Sequence, residues 1–273
     1  MRPYTIAITG IDGCGKSTVI NQLMTQQKES SSAYQVFSCT NFHDTPNAPF
    51  SELSRGMDAL SQYADERNDP TIKYVSLYLK MTLFGAIEHF FADYYCPNIL
   101  VTERHPLVGS LAYGSLYLQM NAEVDLEERT AWNEELLTQE QIPWAAILNW
   151  FELENKRQNR ALDFWDLPAY LTQLQRQKPI NLVPALEVLF RTSLPHKVIH
   201  FQIQEDIAAT RVGQSKRKEI HESKKNLVYI NRAYLKALEY LKSIGVEVVY
   251  LDVTGKSPKA LTEIVLKEMK NDK

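Results

Sequence analysis

Gly10-Ile11-Asp12-Gly13-Cys14-Gly15-Lys16-Ser17 reads G-x-x-x-x-G-K-S, a complete phosphate-binding loop. In such a loop the glycines let the backbone curl so that successive N–H groups converge on a β-phosphate. The lysine reaches the β and γ oxygens, and the serine hydroxyl can ligate Mg²⁺. The motif needs a strand before it and a helix after it. Tyr4-Thr5-Ile6-Ala7-Ile8-Thr9 reads as a buried parallel strand, and Thr18 through Met24 as a helix, so the order is met. Nucleotide binding is the starting expectation.

Working outward, Tyr34 to Cys39 reads as a second strand, and Phe50 to Tyr63 as a helix with Leu53, Met57 and Leu60 on one face. Thr71 to Tyr95 predicts one long helix whose apolar face runs Val75, Leu79, Leu83, Ile87, Phe91. Asn98 to Thr102 is a short apolar run and a third strand. Ala122 to Leu182 breaks the pattern: it carries Trp132, Trp144, Trp150 and Trp165, and Pro143, Pro168 and Pro179 divide it into short helices. We read it as a helical insertion, its tryptophans more often core than pocket. Lys197 to Ile203 is a fourth strand followed by a short helix from Ile207 to Arg211. Asn226 to Ser243 is a strong helix, Glu247 to Asp252 the last strand, and Pro258 opens a final helix to about Lys270. The alternation predicts an α/β fold, a mostly parallel five-stranded sheet in a three-layer sandwich with helices on both faces, as one domain over 1–273.

Composition agrees with a folded enzyme. Of 273 residues, 44% are hydrophobic and 23% charged, and the net charge of -3 gives no global pull toward nucleic acid or an anionic membrane. The three cysteines, Cys14, Cys39 and Cys96, are too few and scattered for a disulfide framework or a zinc site. No run approaches the roughly 18 apolar residues of a membrane span, and Met1-Arg2-Pro3 leads straight into the first strand. The expectation is a cytoplasmic enzyme.

Three clusters extend the loop. Thr102-Glu103-Arg104-His105, with Ser110 and Tyr113 downstream, lies at the carboxyl end of a central strand, where open α/β sheets bind ligands. An acid beside an arginine there can serve a metal or an acceptor while the arginine neutralises phosphate. Residues 211–225 hold Arg211, Lys216, Arg217, Lys218, Lys224 and Lys225 with Gly213, a basic segment able to close over a transferring phosphoryl group. Asp12, inside the loop, would repel donor phosphates and so is expected to point across the cleft toward an acceptor.

These residues together resemble the thymidylate kinase family of P-loop kinases. The loop through Thr18 is similar to that family's acid-Gly-x-Gly-Lys-Ser/Thr-Thr form, and Glu103-Arg104-His105 with Ala112-Tyr113 to its Asp-Arg-Tyr/His segment. Leu83-Phe84-Gly85-Ala86 resembles the segment whose phenylalanine stacks on thymine. Arg211, Lys216-Arg217-Lys218 and Tyr234 match the lid and the helix after it, and Leu251 to Ser257 the last strand and turn, near adenine. The resemblance spans roughly residues 3–120 and 196–270. It implies ATP and Mg²⁺ on Gly10, Asp12, Gly13, Cys14, Gly15, Lys16, Ser17, Thr18, Thr254 and Gly255, with Ser17 and Glu103 on the metal. It implies an acceptor held by Asp12, Phe84, Glu88, Arg104, His105 and Tyr113, catalysis by Lys16, Glu103, Arg104, Arg211 and Arg217, and a homodimer. With no arginine in the loop, the transition-state cation must come from the lid.

Two departures bear on the acceptor. The family's arginine segment after the second strand is here Asn41, His43 and Asp44 before Pro46, and its base-reading arginine falls on Glu88, an acceptor in place of a donor. The readings that follow are a nucleoside monophosphate kinase with dTMP its leading substrate, a deoxynucleoside kinase acting on a sugar hydroxyl with Asp44 as a further acid, or an ATP-binding regulatory protein that uses the insertion as a partner surface.

Overall fold

The structure is a computed structural model and describes residues 2–29, 34–123, 134–214 and 219–270. Five strands form one sheet: β1 (Tyr4–Thr9), β2 (Tyr34–Ser38), β3 (Ile99–Glu103), β4 (Lys197–Gln202) and β5 (Glu247–Asp252). All neighbours are parallel, in the order β2-β3-β1-β4-β5. Ile6, Ala7 and Ile8 are fully buried, as a central strand covered on both faces requires. β1 runs on to β2 at one edge, and β3 crosses back over β1 to β4, so the connections diverge beside β1 and β3. The crevice outside their carboxyl ends is where such sheets take ligands. Register sets the edge: Ser38 lies opposite Glu103, and Glu103 opposite Ile8, two residues before the loop.

Helix α1 (Lys16–Glu29) leaves the loop directly. Next come α2 (Ser51–Arg67), α3 (Pro70–Thr82) and α4 (Phe84–Tyr95). Asp69 caps α3, its carboxylate accepting the Ile72 amide at 2.9 Å, and Pro70 takes the first turn, where its missing N–H costs nothing. The single helix expected over 71–95 is therefore two, interrupted at Leu83. The Thr82 hydroxyl donates to the Leu79 carbonyl at 2.6 Å and accepts the Trp150 indole at 2.7 Å, while its carbonyl accepts from Arg191 at 3.3 Å. Partners from elsewhere in the chain occupy the groups of that turn, and local periodicity carries no sign of them.

Helix α5 (Pro106–Glu123) follows β3. Each proline of the insertion opens a helix: Pro143 precedes α6 (Trp144–Arg157), Pro168 lies in the first turn of α7 (Leu167–Gln175), and Pro179 begins α8 (Pro179–Phe190), which runs past the expected end at Leu182. Trp144 and Trp150 are buried in a core with Phe37, Phe42 and Phe84, so both serve packing; Trp132 lies outside the described residues. Helices α9 (Glu205–Gly213), α10 (Lys224–Ser243) and α11 (Pro258–Lys270) complete the chain, with α10 and α11 in the second core around β1 and β4. Among the described residues no helix is long and apolar enough to cross a membrane.

Candidate active site

The loop closes on itself. Gly13 and Gly15 adopt φ of +81° and +95°, a region open to glycine at little cost, and a Cβ on Gly13 would lie 2.6 Å from the Ala208 carbonyl of α9. Lys16 is almost fully buried; its ammonium donates to the Ile11 carbonyl at 2.9 Å and lies 3.8 Å from Asp12. Cys14 is buried, and burial first of all pushes its thiol up, so it acts as a small filler. Gly13 to Thr18 line a cavity of about 430 Å³ with Arg104, Arg211, Val253, Lys256 and Pro258. Thr254 and Gly255 sit in the turn between two of these lining residues.

The strand register delivers Glu103 to the loop. Its carboxylate accepts the Ser17 hydroxyl at 2.6 Å and the Ser38 hydroxyl at 3.4 Å. Arg104 follows with φ +57°, a left-handed backbone that is costly for arginine and marks a place the fold over-determines. Its guanidinium pairs with Asp12. Asp12 is thereby a hub: it also accepts the Tyr113 hydroxyl at 3.0 Å and meets His221 Nε2 at 3.2 Å. Burial alone would raise the Asp12 carboxyl, but Arg104 first, then His221 and Lys16, hold it well below the usual range. Asp12 itself borders the phosphate-loop cavity and the cleft beside it, and reaches a second cavity only through its partners Arg104, Tyr113 and His221, which line that cavity.

That second cavity, about 80 Å³, is lined by Tyr74, Leu77 and Met81 of α3, by Arg104 and His105, and by Tyr113, Gly114 and Tyr117 of α5. His221 closes it. Its Nδ1 bonds the Tyr117 hydroxyl at 3.0 Å while Nε2 faces Asp12, and Glu219, two residues earlier, pairs with the buried Lys73 at 2.7 Å. His221 went unread in the sequence because a lone histidine among basic residues carries no local signal. Between the two cavities runs a cleft of about 690 Å³ bearing Ser17, Ser38, Asn41, Asp44, Glu103, Arg211 and Glu222.

The sequence expectations divide. Lys16, Ser17, Glu103, Arg104, Asp12, His105 and Tyr113 converge, and Arg211, at the end of α9, donates to the Gly13 carbonyl at 3.1 Å. Phe84 does not reach the cavity: it is fully buried against Phe37, Phe42 and His105, with no face open to a base. Glu88 turns elsewhere too, accepting the Thr192 hydroxyl at 2.6 Å, its carboxyl pushed up to about 7 by burial against the lowering effect of that bond. Lys216, Arg217 and Lys218 lie outside the described residues.

Burial would lower the His221 imidazole, but the Asp12 hydrogen bond and the charges of Glu219 and Asp12 raise it above its ordinary value. A group raised on folding stabilises fully below its unfolded pKa, and that contribution fades as pH climbs through the folded one. The stability lost in His221→Gln, read from urea midpoints, is therefore expected to be largest at acid pH, below the ordinary histidine range, and to shrink as pH rises. A loss that grows with pH would contradict the pairing.

Comparison with known structures bears on the fold. The chain, over 99% of its length, matches 92% of a thymidylate kinase from Candida albicans at TM-score 0.51 and 13% identity. Over 97% it matches 99% of a deoxyadenosine kinase from M. mycoides with bound dATP, at TM-score 0.46 and 12% identity. No protein-family model and no curated protein sequence matches it. The fold is the α/β P-loop kinase fold.

Proposed function

We propose that this chain is a nucleotide kinase that moves the γ-phosphoryl group of ATP to a nucleoside monophosphate, with thymidylate the leading acceptor. One observation carries the reading: Ser17–Glu103 and Asp12–Arg104 join a phosphate-loop cavity to an aromatic-walled cavity across a single cleft. Two substrates held there meet end to end, which is most of what phosphoryl transfer asks of a protein.

The residues divide the work by chemistry. Lys16 and Arg211, with lid cations among residues 215–218, would stabilise charge on the transferring group. Ser17 hydroxyl and Glu103 carboxylate, already within a hydrogen bond of one another, are the hard oxygen donors that suit Mg²⁺. When bound, that ion neutralises phosphate charge. His105 serves the acceptor: its Nδ1 accepts the Leu107 amide at 3.3 Å, which leaves the proton on Nε2, and that buried atom has no partner among the described residues. Burial drives this imidazole down to about 3, so it stays a neutral donor, matched to a carbonyl on the acceptor base.

A second reading has an observation of its own. Asp44, Glu103, Glu219 and Glu222 border the central cleft against Arg104 and Arg211, a balance that suits a neutral nucleoside hydroxyl better than a dianionic monophosphate. ADP release from ATP and Mg²⁺ against a panel of nucleosides and monophosphates separates the two. Turnover with monophosphates, lost in Lys16→Ala and Arg104→Ala, is the expected result; turnover with nucleosides alone establishes the second reading. ATP binding with no acceptor turnover would leave a nucleotide-binding regulatory protein.

A further inference from the structure

Helix α7 of the insertion packs on both α3 and α5, the two helices that wall the aromatic cavity. Its apolar residues Leu171 and Leu174 are buried in the adjoining core, which fixes the helix. At its last position, half-buried Gln175 turns inward. The Gln175 amide nitrogen donates to the Ser110 carbonyl at 2.6 Å, and its amide oxygen accepts the Tyr74 hydroxyl at 3.4 Å. Ser110, Gly114 and Tyr74 are all cavity residues. Gly114 is glycine for this contact: a Cβ there would stand 1.8 Å from the Gln175 amide nitrogen and 2.1 Å from its carbonyl carbon.

We propose that Gln175 is a specificity-determining residue that acts through Ser110, Gly114 and Tyr74: supplied by the insertion, it backs the wall of the acceptor cavity, and its length limits the size of base the cavity accepts. The inference rests on the aromatic cavity being the acceptor site. The side chain bridges α3 and α5 directly behind Ser110 and Gly114, which line the cavity of about 80 Å³, and so fills the space into which that wall could recede. Gly114 and Gln175 are complementary, one yielding the volume that the other fills. Shortening Gln175 would open that volume without touching Asp12, Arg104 or the phosphate loop.

Binding of thymidine, dTMP, deoxyadenosine and dAMP to the full chain, measured by calorimetry without ATP, tests this in wild type and Gln175→Ala. The expected result is a shift of at least about tenfold in the purine-to-pyrimidine affinity ratio toward purines, the scale at which hydrophobic pockets discriminate by size. A bond that served only to hold α7 would lower the melting temperature and leave the ratio unchanged, which would overturn the proposal. Gln175→Asn, one methylene shorter with its amide kept, carries the same test should the alanine variant fail to fold; its expected shift has the same sign and is smaller. If wild type binds none of the four, the acceptor reading itself falls and the inference with it. If wild type binds and the ratio does not move in either variant, the inference alone falls.

Discussion

Lys16→Met is expected to lower kcat by about 10²–10³-fold or more, the range seen when one preorganised charge is removed from a transferring group, while the protein stays folded. Methionine fills the volume of the buried lysine stem and adapts to irregular space. What it cannot replace is the ammonium. In the structure that ammonium is held by the loop's own groups, the Ile11 carbonyl at 2.9 Å and the Asp12 carboxylate at 3.8 Å. The charge is thus stored beside the phosphate cavity, and on the proposed function it would exchange loop oxygens for phosphate oxygens on donor binding. Steady-state kinetics together with a thermal melt check both halves: a large loss of kcat with little loss of stability supports the account, and unaltered turnover contradicts it.

Arg104→Ala is expected to hurt both stability and acceptor use. Asp12 would keep Tyr113, His221 and Lys16 but lose the guanidinium that most lowers its pKa. Leaving a buried carboxylate short of its strongest partner costs about 2–3 kcal/mol, less than for a fully orphaned charge. Urea unfolding reads that term. Catalysis should suffer more: kcat/KM for the acceptor is expected to fall by about 10²–10³-fold, with the KM for ATP nearly unchanged, because Arg104 lines both cavities while the proposed donor contact of Lys16 is untouched. An equal loss in both substrates' KM would show that Arg104 shapes the loop and has no acceptor role.

Much of this was legible because it is local. Loop, flanking strand and helix occupy one continuous segment, and each strand carries its own apolar run. Glu103 could be placed beside Ser17 across a separation of 86 residues because Glu103 ends one parallel strand and Ser17 follows the loop after its neighbour, a rule of topology that needs no side-chain detail. The failures are tertiary. Thr82 breaks the expected long helix through partners on α6 and beyond α8, none of them near in sequence. Phe84 looks like a stacking ring, yet Phe37 and Phe42 arrive from the second strand and its following turn and cover it. His221 and Gln175 gain their positions only when distant helices dock. Glu88, expected in the base site as an acceptor in place of a donor, is drawn off by Thr192.

On the proposed function, a donor on the phosphate loop and an acceptor in the aromatic cavity meet across one cleft. A bisubstrate probe, adenosine joined to thymidine through a chain of phosphates long enough to span both, tests it most directly. Measured by calorimetry with Mg²⁺, the probe is expected to bind at least about 10²-fold more tightly than ATP or dTMP alone, since the second contact becomes intramolecular. Binding no tighter than ATP, and undiminished in Arg104→Ala, would contradict the account.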